Sequence, residues 1–149
     1  MSRLAFRNLN LDPSALVSVW PTEAVQTCLE RGDITDWHRL VVEVQRQPWG
    51  RAARQIEEVL SHSRPYGIAE AIESVIARAR HRAEQEERAA VASEIREAIA
   101  VSGMTLTDFA NAIGTSTSRL STYARGTVVP AATMLVRIRR LAGAELTRP

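Results

Sequence analysis

From Ile68 to Ser102 the chain contains no glycine or proline, and the interval is rich in Ala, Glu and Arg. These residues are among the better helix formers, whereas Gly and Pro are the strongest local breakers, so the spacing predicts one long helix. Elsewhere Gly or Pro recurs at short intervals, at positions 13, 21, 32, 48, 50, 65, 67, 103, 114, 126, 130 and 143. Each intervening segment is long enough for a short helix, and none shows the two-residue alternation of a half-buried strand. The expected fold class is all-α, with an N-terminal helical domain (residues 1–85) joined by a long helix to a C-terminal helical domain (residues 86–149).

The segments have distinct readings. Asp12 before Pro13 resembles an N-cap followed by a first-turn proline, which predicts a short helix through Trp20. A helix from Thr22 to Arg31 would stop at Gly32. Ile34, Trp37, Leu40, Val41 and Val44 recur at helical spacing before Pro48. Ala52, Ala53, Ile56, Val59 and Leu60 form one face of the next helix. In the long helix, Ile68, Ile72, Val75, Ile76 and Ala79 make an apolar stripe. The stripe lapses from Arg80 to Arg88, where Ala83 is the lone apolar residue, and resumes at Val91, Ile95, Ala98 and Ile99. The lapse predicts a solvated helical connector. Trp20, Trp37 and Trp49 are expected as core anchors, although Trp is also favoured at partner hot spots.

Composition excludes several functions. The chain is 45% apolar over 149 residues, enough for a core, yet no run approaches the ~20 residues of a membrane span. The first thirty residues lack a signal-peptide pattern, so a cytoplasmic location without membrane partners is expected. Cys28 is the one cysteine; it rules out an internal disulfide and a thiolate cluster and reads as buried filler. His38, His62 and His81 have no ligand spacing, with His38 read as a surface residue, and Glu57 and Glu58 read as a charged face. No phosphate loop, nucleophile elbow or carboxylate pair is present, so neither an enzyme nor a cofactor is expected. Arg64-Pro65-Tyr66-Gly67 and Trp49-Gly50 read as helix-ending turns, with interface loops as the alternative. Charge is uneven: Arg against Asp plus Glu is 10 to 10 in residues 1–80, 3 to 5 in 81–97 and 6 to 2 in 98–149. The basic excess therefore lies in the last third.

That third carries the most informative pattern. Val101-Ser102-Gly103 ends one helix, and Thr105-Leu106-Thr107-Asp108 begins another with the residues of a capping box. Phe109, Ala110 and Ile113 form its apolar face, and Gly114 stops it. Gly114-Thr115-Ser116 makes a tight turn, with Ser116 as N-cap of a helix to about Arg125. Leu120, Tyr123 and Ala124 share one side of that helix. At about 100° per residue, Ser118, Ser121, Thr122 and Arg125 fall on the other. This is the layout of a helix-turn-helix.

From Ile95 to Gly143 the chain resembles a Cro/C1-type (XRE family) helix-turn-helix domain. The resemblance is carried by Gly103-Met104-Thr105, Phe109-Ala110, Ile113-Gly114, Ser116, Leu120-Ser121, Arg125-Gly126, Pro130 and a closing helix with Leu135, Ile138 and Leu141. It covers about a third of the chain. It implies a five-helix type of C-terminal domain that binds double-stranded DNA through its second motif helix. Thr117, Ser118 and Thr122 take base-reading positions; Thr105, Thr107, Arg119, Ser121 and Arg125 complete the DNA-binding candidates. Arg119 and Arg125 suit either phosphate or a guanine edge, and Arg137, Arg139 and Arg140 add positive charge. Leu106 stands where the family often has Gln, and Thr127-Val128-Val129 where it often has Lys or Arg. Fewer phosphate contacts imply weaker non-specific binding, which a dimer or partner would offset, with Val128 and Val129 as a dimer contact. The functions expected are a homodimeric DNA-binding regulator, typically a repressor, or an antitoxin whose N-terminal domain holds a toxin. A helical scaffold without DNA binding is the third alternative.

Overall fold

The computed structural model describes residues 4–146, with side chains to residue 143. Its elements are a 3-10 helix at Val17–Val19 and seven α-helices: α1 (Thr22–Arg31), α2 (Ile34–Arg46), α3 (Arg51–Leu60), α4 (Ala69–Ser102), α5 (Leu106–Ile113), α6 (Thr117–Arg125) and α7 (Ala132–Leu146). Among the described residues there is no strand, so the architecture is all-α. The chain divides into two compact units, Met1–Ala83 and Glu84–Pro149.

The first unit closes α1, α2, α3 and the first half of α4 around Trp20, Leu29, Leu40, Ile56 and Ile72, all at most 2% exposed. Asp33 and Asp36 start α2 by a reciprocal capping box. Asp33 Oδ1 accepts the Asp36 N–H at 3.1 Å, and Asp36 Oδ2 accepts the Asp33 N–H at 3.0 Å. Gly32 ends α1, though not in the left-handed conformation usual for a C-terminal glycine. Its φ is −71°, and a Cβ there would lie 2.3 Å from the Cys28 carbonyl oxygen. The requirement for glycine is therefore close approach.

Three expectations for this unit are corrected. The helix predicted from Pro13 to Trp20 is a turn followed by the 3-10 helix, because other groups take the carbonyls such a helix would use. Arg39 donates to Pro13 O and Ala15 O at 2.6 and 2.8 Å, and the Trp20 indole N–H donates to Ala15 O at 3.0 Å. Asp12 caps only that turn, through the Ser14 N–H. Ile34, placed in the apolar stripe of α2, is 78% exposed at the first helical position. Trp49 is no core anchor: it lies in the turn before α3 and is 46% exposed. Trp20 is fully buried, while Trp37 is half-buried and ties its indole N–H to Cys28 O.

Residues 84–90 of α4 are exposed, as the lapse of the stripe predicts. The second unit packs the end of α4, α5, α6 and α7 around Ile95, Phe109, Leu120 and Ile138, each fully buried. The five helices implied by the family pattern are, among the described residues, four helical segments, because α7 continues unbroken past Gly143. No helix of the described residues is long and apolar enough to cross a membrane.

Candidate nucleic-acid interface

Helices α5 and α6 are fixed at both ends by their own sequence. The Thr105 hydroxyl accepts the Asp108 N–H at 3.1 Å and opens α5. The return bond expected from the Asp108 carboxylate is not made, so only half of this capping box forms. Gly114 closes α5 with φ +78°, the left-handed region that glycine enters without steric penalty. The Thr115 N–H then reaches back to Ala110 O at 3.0 Å. Two residues on, the Ser116 hydroxyl accepts the Arg119 N–H at 3.1 Å and starts α6. Gly126, with φ +76°, ends it. A Cβ at Gly126 would stand 3.3 Å from Ala92 Cβ, so the end of α6 lies tight against α4.

Leu120 and Tyr123 turn into the core, and the other face of α6 carries the sequence candidates. Ser118, Arg119 and Arg125 are exposed, and Thr117, Ser121 and Thr122 are half-buried. Thr107 and Thr117 are brought together across the turn, their hydroxyls 3.4 Å apart. Thr122 donates to Arg119 O at 2.6 Å, which takes up its hydroxyl proton. Arg119 is tied at one edge, its Nε–H donating to Tyr123 Oη at 3.1 Å. Ser118 and Arg125 show no side-chain hydrogen bond or ion pair with the described residues. Thr105 stands apart from this group, at the start of α5, with its hydroxyl engaged as a cap.

The added positive charge is smaller than the residue count implies. Arg139 pairs with Glu94 of α4 at 2.5 Å, and that hydrogen-bonded ion pair holds the Glu94 carboxyl below its usual range. Arg137 is exposed and keeps its charge, while one of its Nη groups donates to Ile113 O at 3.3 Å at the end of α5. Arg140 remains exposed and unpaired among the described residues. A residue missed by the sequence reading, Arg96 of α4, donates to Ala124 O at 2.6 Å and caps the end of α6. Its position among mixed charges gives no local signal of that task. Val128 and Val129, beyond α6, are 42% and 46% exposed. Among the described residues no group of His, Cys, Asp or Glu is arranged to hold a metal ion.

No protein-family model matches the chain, and no curated protein or solved structure is found to be similar to it.

Proposed function

We propose that the chain is a sequence-specific DNA-binding regulator of the Cro/C1 helix-turn-helix type, with α6 entering the major groove. The observation that carries this reading is the outer face of α6. It is a two-turn surface of small hydroxyl side chains with Arg125, which has no side-chain hydrogen bond or ion pair among the described residues, on a helix anchored at both ends and backed by Leu120 and Tyr123. A groove-reading helix needs side chains that are short or hydrogen-bonding, since bulky apolar groups cannot satisfy the base edges. The start of α5 adds the unpaired backbone N–H groups of a helix N-terminus, suited to a phosphate. Thr105 and Thr107 flank them.

With Arg139 paired to Glu94 and no basic residue in the loop after α6, one copy offers few phosphate contacts, and a homodimer reading two half-sites about 34 Å apart supplies the rest of the affinity. The test is selection of duplexes from a random-sequence pool by the full chain, followed by titration at two salt concentrations against competitor DNA. A saturable, competitor-resistant complex with an enriched sequence supports the reading. Equal, weak binding to every duplex, or none, overturns it and leaves the scaffold.

A second reading, an antitoxin that also binds a toxin, draws on the first unit. That unit has its own core, and Leu16 and Val42, 75% and 48% exposed, line one shallow groove. Co-expression with the product of a neighbouring gene, read as a stable stoichiometric complex, separates it from the simple regulator.

A further inference from the structure

Arg119 and Arg125 are both exposed cations of α6, and the structure distinguishes their surroundings. At about 100° per residue, Ser118, Thr122 and Arg125 share the side of α6 opposite the core, while Arg119 lies roughly a quarter-turn away on the flank. There its Nε–H is held by Tyr123 Oη at 3.1 Å. Tyr123 is itself 5% exposed, so the core fixes the inner edge of the guanidinium and leaves the two Nη amino groups for an acceptor from outside. A planar fork held in this way suits two oxygens of one phosphate, and immobilising it beforehand removes part of the entropic cost of binding. Arg125 is the opposite case: it sits centrally on the outer face with no side-chain partner among the described residues, so its fork is available to guanine O6 and N7.

We propose that Arg119, positioned by Tyr123, clamps a backbone phosphate, and that Arg125 is the cation that reads a base. The assignment rests on the DNA-binding reading above. Tyr123 is a positioning residue, touching DNA only through Arg119.

The experiment measures affinity for the selected duplex across a salt series for the full chain, Arg119→Ala, Tyr123→Phe, the double variant and Arg125→Ala. Arg119→Ala should flatten the slope of log affinity against log salt by about 0.9, the signature of one lost phosphate contact. Tyr123→Phe, which removes only an oxygen, should weaken binding about three- to tenfold, as expected for one hydrogen bond. It should have no further effect once Arg119 is gone. Arg125→Ala should relax preference at a single base pair.

An unchanged affinity for Tyr123→Phe, or a loss that persists without Arg119, overturns the clamp. Loss of preference at one base pair in Arg119→Ala, with uniform weakening in Arg125→Ala, reverses the two roles. Thermal melting confirms that each variant is folded. If Tyr123→Phe does not fold, Arg119→Lys replaces it. Lys keeps the charge and the salt slope but lacks the Nε–H, so it should lose affinity several-fold, and wild-type affinity sinks the clamp. Failure of the wild-type chain to bind any duplex is a different result, which removes the DNA-binding reading and this assignment together.

Discussion

At the scale of single residues, burial decides what a reactive group can do. Cys28 is fully buried, and that burial, with Asp36 nearby, pushes its thiol pKa up to about 12. The thiolate is the reactive form, so a disulfide reagent at pH 8 should leave the native chain unlabelled and react only after denaturant is added. Rapid labelling without denaturant would contradict the packing. Stability follows from the same shift. The folded state keeps its proton to higher pH than the unfolded thiol, whose pKa is about 8.5. The protonated core thiol therefore contributes fully below that value, and its contribution declines as pH rises toward about 12. In urea titrations the stability gap between wild type and Cys28→Ala should narrow from pH 8 to pH 10; a constant gap argues against the shift. Ser118 is the opposite type of residue, exposed and with no side-chain hydrogen bond among the described residues. Ser118→Arg should leave the melting temperature unchanged and, on the DNA-binding reading proposed above, alter or abolish duplex selection, because a long side chain would then take the place of a short hydroxyl on the face proposed to enter the groove.

At the scale of elements, the helices end where local chemistry is decisive. Gly114 was legible as a stop because glycine enters the left-handed region without steric penalty, and Ser116 was legible as a start because its hydroxyl can cap. Ser116→Ala should cost about 1 kcal/mol by removing the α6 cap. Ser118→Ala, two residues on and outside the cap, should stay within about 0.5 kcal/mol. Chemical denaturation of the two variants checks where α6 begins. Gly32→Ala should destabilise by about 1–3 kcal/mol, since the new methyl meets a backbone carbonyl that has no room to move.

What was illegible was set by partners distant in sequence. The turn at residues 13–15 is held by Arg39, some 24 to 26 positions away, and no local pattern announces that competition. The α2 capping box uses Asp at both positions, outside the Ser/Thr to Glu/Gln signature. The charge balance misled in the same way. The count of Arg in the last third is correct, but Arg139 is matched by Glu94, 45 positions earlier in α4. Side-chain alternation along α6 was readable from spacing alone. Which of its two cations is tied to the core was not, because the Arg119–Tyr123 bond depends on rotamers as well as on position.

At the scale of the whole molecule, the chain has two separate cores, and all three tryptophans lie in the unit that holds the first of them. Trp20, Trp37 and Trp49 all fall within Met1–Ala83. Tryptophan emission therefore reports only the first unit, while far-ultraviolet circular dichroism reports the helices of both. Phe109 is fully buried in the second core, and Phe109→Ala should remove about 3–5 kcal/mol there. At roughly 0.05–0.15 kcal/mol per residue, that loss is comparable with the whole stability of a unit of this size. The variant should therefore lose the helical signal of α5, α6, α7 and the second half of α4 at low urea, while its tryptophan transition keeps the wild-type midpoint. Leu40→Ala, from the first core, should do the reverse, moving the tryptophan midpoint first. If Phe109→Ala shifts both signals together, the continuous α4 couples the two units into one cooperative transition. In that case a ligand that stabilises one unit would raise the stability of the other, and on the proposed DNA-binding reading a selected duplex added to the full chain should raise the tryptophan midpoint.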